Sequence, residues 1–408
     1  MTKDISIVLV GIGGYGNTYV KDLLEGGPKE GVRIVGAVDP YPAGCRYLDQ
    51  MKQLGIPIYD TLDDFYANHK ADLAIISSPS HLHAPQTILA LSNGSNVLCE
   101  KPVAATIQEA REMIEARDKY NKFVAIGYQW SHSPVIQSLK KDIMEGELGK
   151  PKRFKTMVLW SRSDDYFNRS GWAARIRDDK GNWILDSVAS NATAHYLHNM
   201  FYVLGDSVEK SAKPVEVVAE LYRANPIENF DTAAIRAKTE EGVEILFLTT
   251  HAVNIHPIPQ FCYEFENARV VFGDPDIPES DNNVLAIFND GRTKSYGDPN
   301  KVDGVRKMWM AIDAVREEGP VVCGIEAASS HTICINAAHE SVEEIVNFPS
   351  ELIRRNEEEK VNWVEGLAET FRVCFADYKL PSEKGLSWAK AGKTMDTRGY
   401  DYFKGIGL

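Results

Sequence analysis

The 408-residue chain has no C-x-x-C pair, no apolar run long enough for a membrane helix, and no excess of positive charge. Its six cysteines, Cys45, Cys99, Cys262, Cys323, Cys334 and Cys374, are scattered, several within apolar runs such as NVLCE and HTICINAA. That excludes a disulfide framework and predicts buried free thiols in a reducing, cytoplasmic setting. A bilayer-spanning helix needs roughly 18 or more apolar residues in a row, so no membrane span is expected. The opening MTKDISIVLVG has too short an apolar run before its glycine turn, and predicts no cleaved leader. Lys and Arg number 45 against 58 Asp and Glu, a formal charge of −13. This argues against nonspecific binding to nucleic acid or an anionic membrane. It says nothing of the substrate, because a local basic pocket can exist on an acidic protein.

What is present is a rhythm. Short apolar runs (ISIVLVG, RIVGAVD, LAIISSP, NVLCEKP, FVAIGY) alternate with helical segments near 15–26, 43–54, 84–93 and 106–121. Continuous apolar strands separated by helices predict parallel βαβ units with both sheet faces covered. After Tyr128 the pattern changes. A helix near 134–145 stops at EGELGKP, and longer alternating runs from RFKTMVLWSR to VLAIFND predict a large, mostly antiparallel, open sheet. Helices return near 303–318, 325–347 and 362–378. The expected organisation is a Rossmann domain over 1–127, an α+β substrate and oligomerisation domain over 128–380, and a polar, glycine-dotted tail over 381–408.

VLVGIGGYGNTYV carries Gly11, Gly13 and Gly16 in G-x-G-x-x-G spacing, after a strand and opening a helix. Gly11 allows the tight turn, Gly13 lets backbone approach a pyrophosphate, and Gly16 permits close helix–strand packing. The helix N-terminus supplies N–H donors for phosphates. The second strand ends at Asp39, where a carboxylate accepts from the ribose 2′-hydroxyl and repels a 2′-phosphate. Pro40 and Tyr41 follow rather than an Arg, so NAD is expected over NADP.

Together with ISSPSHLHAP and LCEKPVAAT, the glycine loop resembles the glucose–fructose oxidoreductase and inositol dehydrogenase (Gfo/Idh/MocA) family. The resemblance runs on through EGELGKP, 181–205 and GIEAASSHTICINAAHES. It implies an NAD(P)-dependent CH–OH dehydrogenase whose E-K-P lysine, here Lys101, lies beside the nicotinamide and the substrate hydroxyl. A cation there lowers an alcohol's pKa, or the amine carries the proton. The resemblance also implies a cis Pro102. Its cofactor set would be Gly11, Ile12, Gly13, Gly14, Tyr15, Gly16, Asp39, Ser78, Pro79, His83, Glu100, Lys101 and Gln129. Tyr128, Gln129 and Trp130 stand where the family often has a basic–aromatic pair.

The family usually follows an Asp with a His four residues on, before a helix ending in glycine. Here the text is KGNWILDSVASNATAHYLHNMFYVLG. Counting back from Gly205 puts His195 at the histidine and Asn191 at the aspartate; counting forward from Gly181 puts Asp186 at the aspartate and a serine at the histidine. An insertion of about five residues reconciles both. On a helix, Asn191, His195, His198 and Asn199 would share a face. An imidazole titrating near neutrality suits acid–base work, so Lys101 and His195 are the acid–base candidates, with Asn191 positioning and Asp186 a possible charge partner. Trp160, Arg162, Trp172, Arg175 and His198 stand where family members line a sugar pocket, and His251 ends a strand that could face it. The His81/His83 and His195/His198 pairs lack a third ligand, and no metal is expected.

The leading expectation is an NAD-dependent oxidoreductase acting on a sugar, cyclitol or sugar derivative. Two alternatives are redox-neutral glycoside cleavage through a transient 3-keto intermediate, and a non-catalytic NAD- and sugar-binding regulator. Each would form a homo-oligomer, dimer or tetramer, through the open sheet face.

Overall fold

The structure, a computed structural model, describes residues 4–25, 31–301 and 303–407. The outermost residues of the expected first domain and tail, and Gly26 at the end of the expected first helix, lie outside the described residues. Six strands, β1 (Ile5–Val10), β2 (Val32–Val38), β3 (Ile58–Tyr59), β4 (Leu73–Ile76), β5 (Asn96–Cys99) and β6 (Val124–Ile126), form a parallel sheet ordered β3-β2-β1-β4-β5-β6. Five of them, all but β3, fall on the expected apolar runs. The pair-length β3 and the helix Leu62–Asn68 carry too little pattern to be legible. Helices cover both faces, which is why the strands can be apolar throughout. Gly16–Glu25 and Arg306–Val315 lie on one side, through Tyr19, Val20, Met308 and Ile312. His83–Ser92 and Ile107–Tyr120 lie on the other. Strand order reverses between β1 and β4, leaving a crevice at their carboxyl ends.

The second sheet has ten strands: β7 (Pro151–Leu159), β8 (Pro214–Arg223), β9 (Thr232–Thr239), β10 (Glu244–Thr250), β11 (Gln260–Phe265), β12 (Ala268–Phe272), β13 (Val284–Phe288), β14 (Thr293–Gly297), β15 (Val346–Asn347) and β18 (Met395–Asp396). It is mostly antiparallel; β7–β10 and β8–β15 are parallel. Alternation along β7 sends Phe154 and Val158 inward, against the helices Ala194–Tyr202 and Ile325–Ser341. Met157 and Leu159 face outward.

That outer face is not fully open. The hairpin β16 (Ile353–Asn356) and β17 (Val361–Val364) leads into the helix Leu367–Asp377, whose Leu367, Phe371 and Phe375 cluster with Met157, Leu159, Leu246 and Leu248. The helix expected from residue 362 therefore begins at Leu367, because Val361–Val364 is consumed by strand pairing. The tail runs back over the second sheet: β18 pairs with β8, and Phe403 meets Trp183 and His339.

Candidate active site

The crevice is built by three stretches at the ends of β1, β4 and β5. Gly11 has φ +79°, and a Cβ there would stand 2.9 Å from the Ser77 carbonyl carbon. At Gly16 a Cβ would lie 2.1 Å from the Gly11 carbonyl oxygen. Both glycines are thus demanded by the protein itself. Gly13 is not: a Cβ there would meet nothing closer than 3.7 Å. Its bareness leaves room for a phosphate. Asp39 faces the loop, with Oδ2 accepting from the Ile12 and Gly13 amides (3.0 and 3.4 Å) and Oδ1 from the Tyr41 amide (2.8 Å). Carboxylate oxygens hold further lone pairs for ribose hydroxyls. The loop, its φ values and the acid at the end of β2 fit NAD. Tyr15, 40% exposed, reaches the Gly304 carbonyl, and Gln129 lies beside the same glycine.

Two residues expected in contact with the cofactor are instead buried supports. His83 places Nδ1 2.8 Å from the Pro102 carbonyl and Nε2 2.9 Å from that of Ser78, so its ring ties the two crevice loops together. Glu100 turns inward, accepting from Tyr19 (2.5 Å) and pairing with Lys307 (2.5 Å). Lys307 also donates to the Gly127 carbonyl and lies over the Tyr15 ring. Lysine 307 was not singled out in the sequence, yet it sits among Met308, Ala311 and Ile312 on the apolar stripe of its helix; a charge on such a stripe signals a buried partner.

The Lys101–Pro102 peptide is cis. Lys101 Nζ donates to both the backbone oxygen (2.8 Å) and Oδ1 (2.9 Å) of Asn191. Asn191 Nδ2 donates to Asp186 Oδ1 (2.7 Å), and Asp186 Oδ2 accepts from the Ala174 amide (2.6 Å) and Arg169 (3.3 Å). The two competing readings of the missing aspartate therefore meet in one chain of contacts, Lys101–Asn191–Asp186–Arg169. Asn191 is not on the helix face: residues 188–193 form turns, with the Thr193 amide donating to the Val188 carbonyl, and the helix starts at Ala194. Burial is the main cause that lowers the Lys101 ammonium to about 8.

His195 lies edge-on to Tyr128 (5.8 Å), with Nδ1 buried and unpartnered. Burial, then the Lys101 charge, holds its pKa well below the ordinary value. Its imidazole is therefore neutral at physiological pH rather than titrating there, as the sequence suggested. His198 does not reach the cleft. It is 1% exposed, stacks on Tyr128 at 3.8 Å and shares a hydrogen bond with Ser131 (2.9 Å). The helical spacing placed it beside His195, but Tyr128, buried from the first sheet's last loop, fills the space between.

On the far side of Asp186 a strip of rings and cations leads outward. Arg169 is sandwiched between Tyr166 (4.1 Å) and Trp172 (4.8 Å). Arg162 lies over Tyr166 (5.0 Å) and Trp160 (5.6 Å). His251 gives Nδ1–H to the Trp160 carbonyl (2.8 Å), leaving Nε2 buried with no partner. Arg175 leaves the strip and pairs with Asp179 and Glu228 at the surface. Tyr166 and Arg169 escaped the sequence reading; the three-residue spacing of Tyr166, Arg169 and Trp172 was the available signal. Among the described residues, no cluster of three or more His, Cys, Asp or Glu could hold a metal, and no helix is long and apolar enough to cross a membrane.

Residues 5–128 match the family described as "Oxidoreductase family, NAD-binding Rossmann fold" (GFO_IDH_MocA). Among curated proteins, an inositol 2-dehydrogenase of Rubrobacter xylanophilus is 28% identical over 45% of this chain and 53% of its own length. A 2,7-anhydro-N-acetylneuraminate hydratase of Mediterraneibacter gnavus is 28% identical over 42% of this chain and 41% of its own. The chain spans about half the length of the curated relatives it matches. Among solved structures, the WlbA dehydrogenase from Bordetella pertussis, in complex with NADH and UDP-GlcNAcA, superposes with a TM-score of 0.67 at 19% identity, covering 81% of this chain and 93% of that one. That likeness shows the fold. The glycine loop, Asp39 and the E-K-P turn all lie within the matched residues, so residues 5–128 are an NAD-binding Rossmann domain of the Gfo/Idh/MocA oxidoreductase type, and the chain as a whole shares the two-sheet fold of the solved structure.

Proposed function

We propose that the chain is an NAD-dependent dehydrogenase that oxidises a hydroxyl of a sugar, cyclitol or sugar derivative, with Lys101 taking the proton. The observation that carries this is the double acceptance of Lys101 Nζ by Asn191. A neutral amine has two N–H donors and one lone pair. Both donors are occupied by the two Asn191 oxygens, so the lone pair is left for a substrate hydroxyl. The nicotinamide supplies the hydride acceptor when NAD is bound. Asp186 orients Asn191, and in this reading neutral His195 hydrogen-bonds the substrate oxygen. The direct test is formation of NADH from NAD on a panel of sugars and cyclitols; a glycoside consumed while NADH stays flat would instead favour redox-neutral cleavage. That second reading draws support from the M. gnavus relative, a hydratase by name.

Burial, with no carboxylate at position 191 to offset it, sets the charge state. With a neutral amide beside it, Lys101 loses its proton near pH 8, and oxidation should rise with pH through that value as the free amine forms. In Asn191→Asp an adjacent carboxylate favours the ammonium, and the midpoint of the kcat profile should move alkaline by about 1–3 pH units. An unmoved profile would remove Lys101 as the proton acceptor.

Asp39 carries the cofactor preference. Asp39→Ser should lower kcat/KM for NAD by about 10-fold to 100-fold, the worth of charged hydrogen bonds, while the value for NADP falls less or rises. A constant NAD-to-NADP ratio would show that Asp39 only braces the glycine loop.

A further inference from the structure

We infer that the outer end of the cleft, built by Arg162, Trp160 and His251, is a subsite for an anionic group on the sugar, so that the substrate is a sugar acid or sugar phosphate rather than a neutral polyol. The inference rests on the dehydrogenase reading for the reacting end, Lys101, but stands on different residues.

The charge balance of the cleft points this way on a protein of net charge −13. Lys101, Arg169 and Arg162 bring three cationic side chains to it, and among the described residues the carboxylate hydrogen-bonded to one of them is that of Asp186. Glu100 is spent on Lys307 beneath the crevice. Asp164 and Asp165 are spent on Arg355 and Lys360. Arg169 is committed to Asp186 and to the Tyr166 carbonyl. Arg162 is not committed to an anion: it donates to the neighbouring Ser161 carbonyl (2.9 Å) and to the Tyr166 hydroxyl, and among the described residues no carboxylate pairs with it. Its half-buried guanidinium is held between the Trp160 and Tyr166 rings. A planar donor fork fixed between aromatic faces and left without an anion is suited to bidentate capture of carboxylate or phosphate.

His251 supplies an independent observation. The residue is 1% exposed, its Nδ1–H is given to Trp160, and its Nε2 is a buried lone pair without a donor. Burial, then the Arg162 charge, holds the ring's pKa down to about 3, so it stays neutral. A buried acceptor left unpaired in the protein calls for a ligand hydroxyl or a water. An anion-binding fork beside a hydroxyl acceptor describes a ligand in which an anionic group neighbours a free hydroxyl, as in a hexuronate.

The test uses the full-length protein with NAD. Binding of matched probes that differ only at C6 is titrated by tryptophan fluorescence and calorimetry: glucose, glucuronate and glucose 6-phosphate, with galactose and galacturonate. At least one anionic probe should bind about 10-fold to 100-fold more tightly than its neutral counterpart, and the carboxylate and phosphate arms identify the anion. Arg162→Gln should bring that ratio within about threefold of one, and Arg162→Lys should retain part of it. Equal binding of neutral and anionic partners in every pair would overturn the subsite, as would a preference that survives Arg162→Gln in a folded variant. NADH formation, followed separately, keeps the two readings apart. Anion preference without NADH leaves the subsite standing and sinks the dehydrogenase reading; NADH formed equally well from neutral sugars does the reverse.

Discussion

Lys101→Met is expected to lower kcat by about 10²–10⁴-fold, the usual worth of a positioned acid–base group, while the NAD dissociation constant changes only a few-fold. The expectation follows from geometry at both ends of the side chain. At its base, the His83 bridge between the Pro102 and Ser78 carbonyls holds the turn from which the side chain leaves the crevice. At its tip, Asn191 holds Nζ through two oxygens. Methionine keeps a stem of nearly the same length and lacks the amine, so the loss reports the proton acceptor rather than a collapsed cleft. The variant's Tm should not fall below that of the parent, because a lysine whose pKa is lowered by burial is held at a cost to the fold. If kcat stayed within tenfold, proton transfer would have to lie with His195 or water. Isothermal titration with NAD, rapid single-turnover kinetics and thermal unfolding give the three readings.

How far the sequence discloses this site depends on whether a residue's role is local. Gly11, Gly16 and Asp39 act through their own turn and the strand they end, and motif spacing found them. Lys101 was legible through the E-K-P resemblance, since a lysine after a strand is by itself usually a solvated surface charge. Arg169 and Tyr166 come from a segment between β7 and the helix Ala194–Tyr202 that has little regular structure; what brings them to Asp186 is tertiary, so their three-residue spacing with Trp172 does not by itself point to the site. Asn191 and Asp186 were both in view, but choosing between them assumed one helix face. The turns at 188–193 let both contribute, one in front of the other. His198 failed for the complementary reason: helical spacing gives the face a residue shares, not what fills that face, and Tyr128 arrives from another part of the chain. The outer sheet face was legible only in part. Alternation in β7 and β10 shows that an apolar outer face exists, but only the path of residues 348–388 shows that the chain itself covers part of it.

Lys307→Met is expected to cost about 3–5 kcal/mol of folding stability, the loss typical of removing one member of a buried ion pair. Lys307 is 1% and Glu100 8% exposed, so solvent screens the pair little. With Lys307 gone, Glu100 keeps only the Tyr19 hydroxyl and the Lys101 amide for a charge that burial already disfavours. Glu100→Gln combined with Lys307→Met should recover much of the loss, because it removes the stranded charge. The pH dependence has a definite sign. Glu100 is held below the ordinary carboxylate range in the fold, so its contribution is present above its unfolded value and fades as pH falls. Lys307 is held above its ordinary value, chiefly by Glu100, so its contribution is present below the unfolded value and fades as pH rises. The pair therefore stabilises between about pH 5 and pH 10, and urea unfolding of parent and single variant should converge outside that window. The consequence for function runs through Gly127 and Tyr15. Lys307 donates to the first and underlies the ring of the second, while Glu100 immediately precedes the reactive lysine. Loosening the pair should thus weaken NAD binding in Lys307→Met even at temperatures where the protein stays folded. Unchanged NAD affinity alongside lost stability would show that the pair is a support for the core alone.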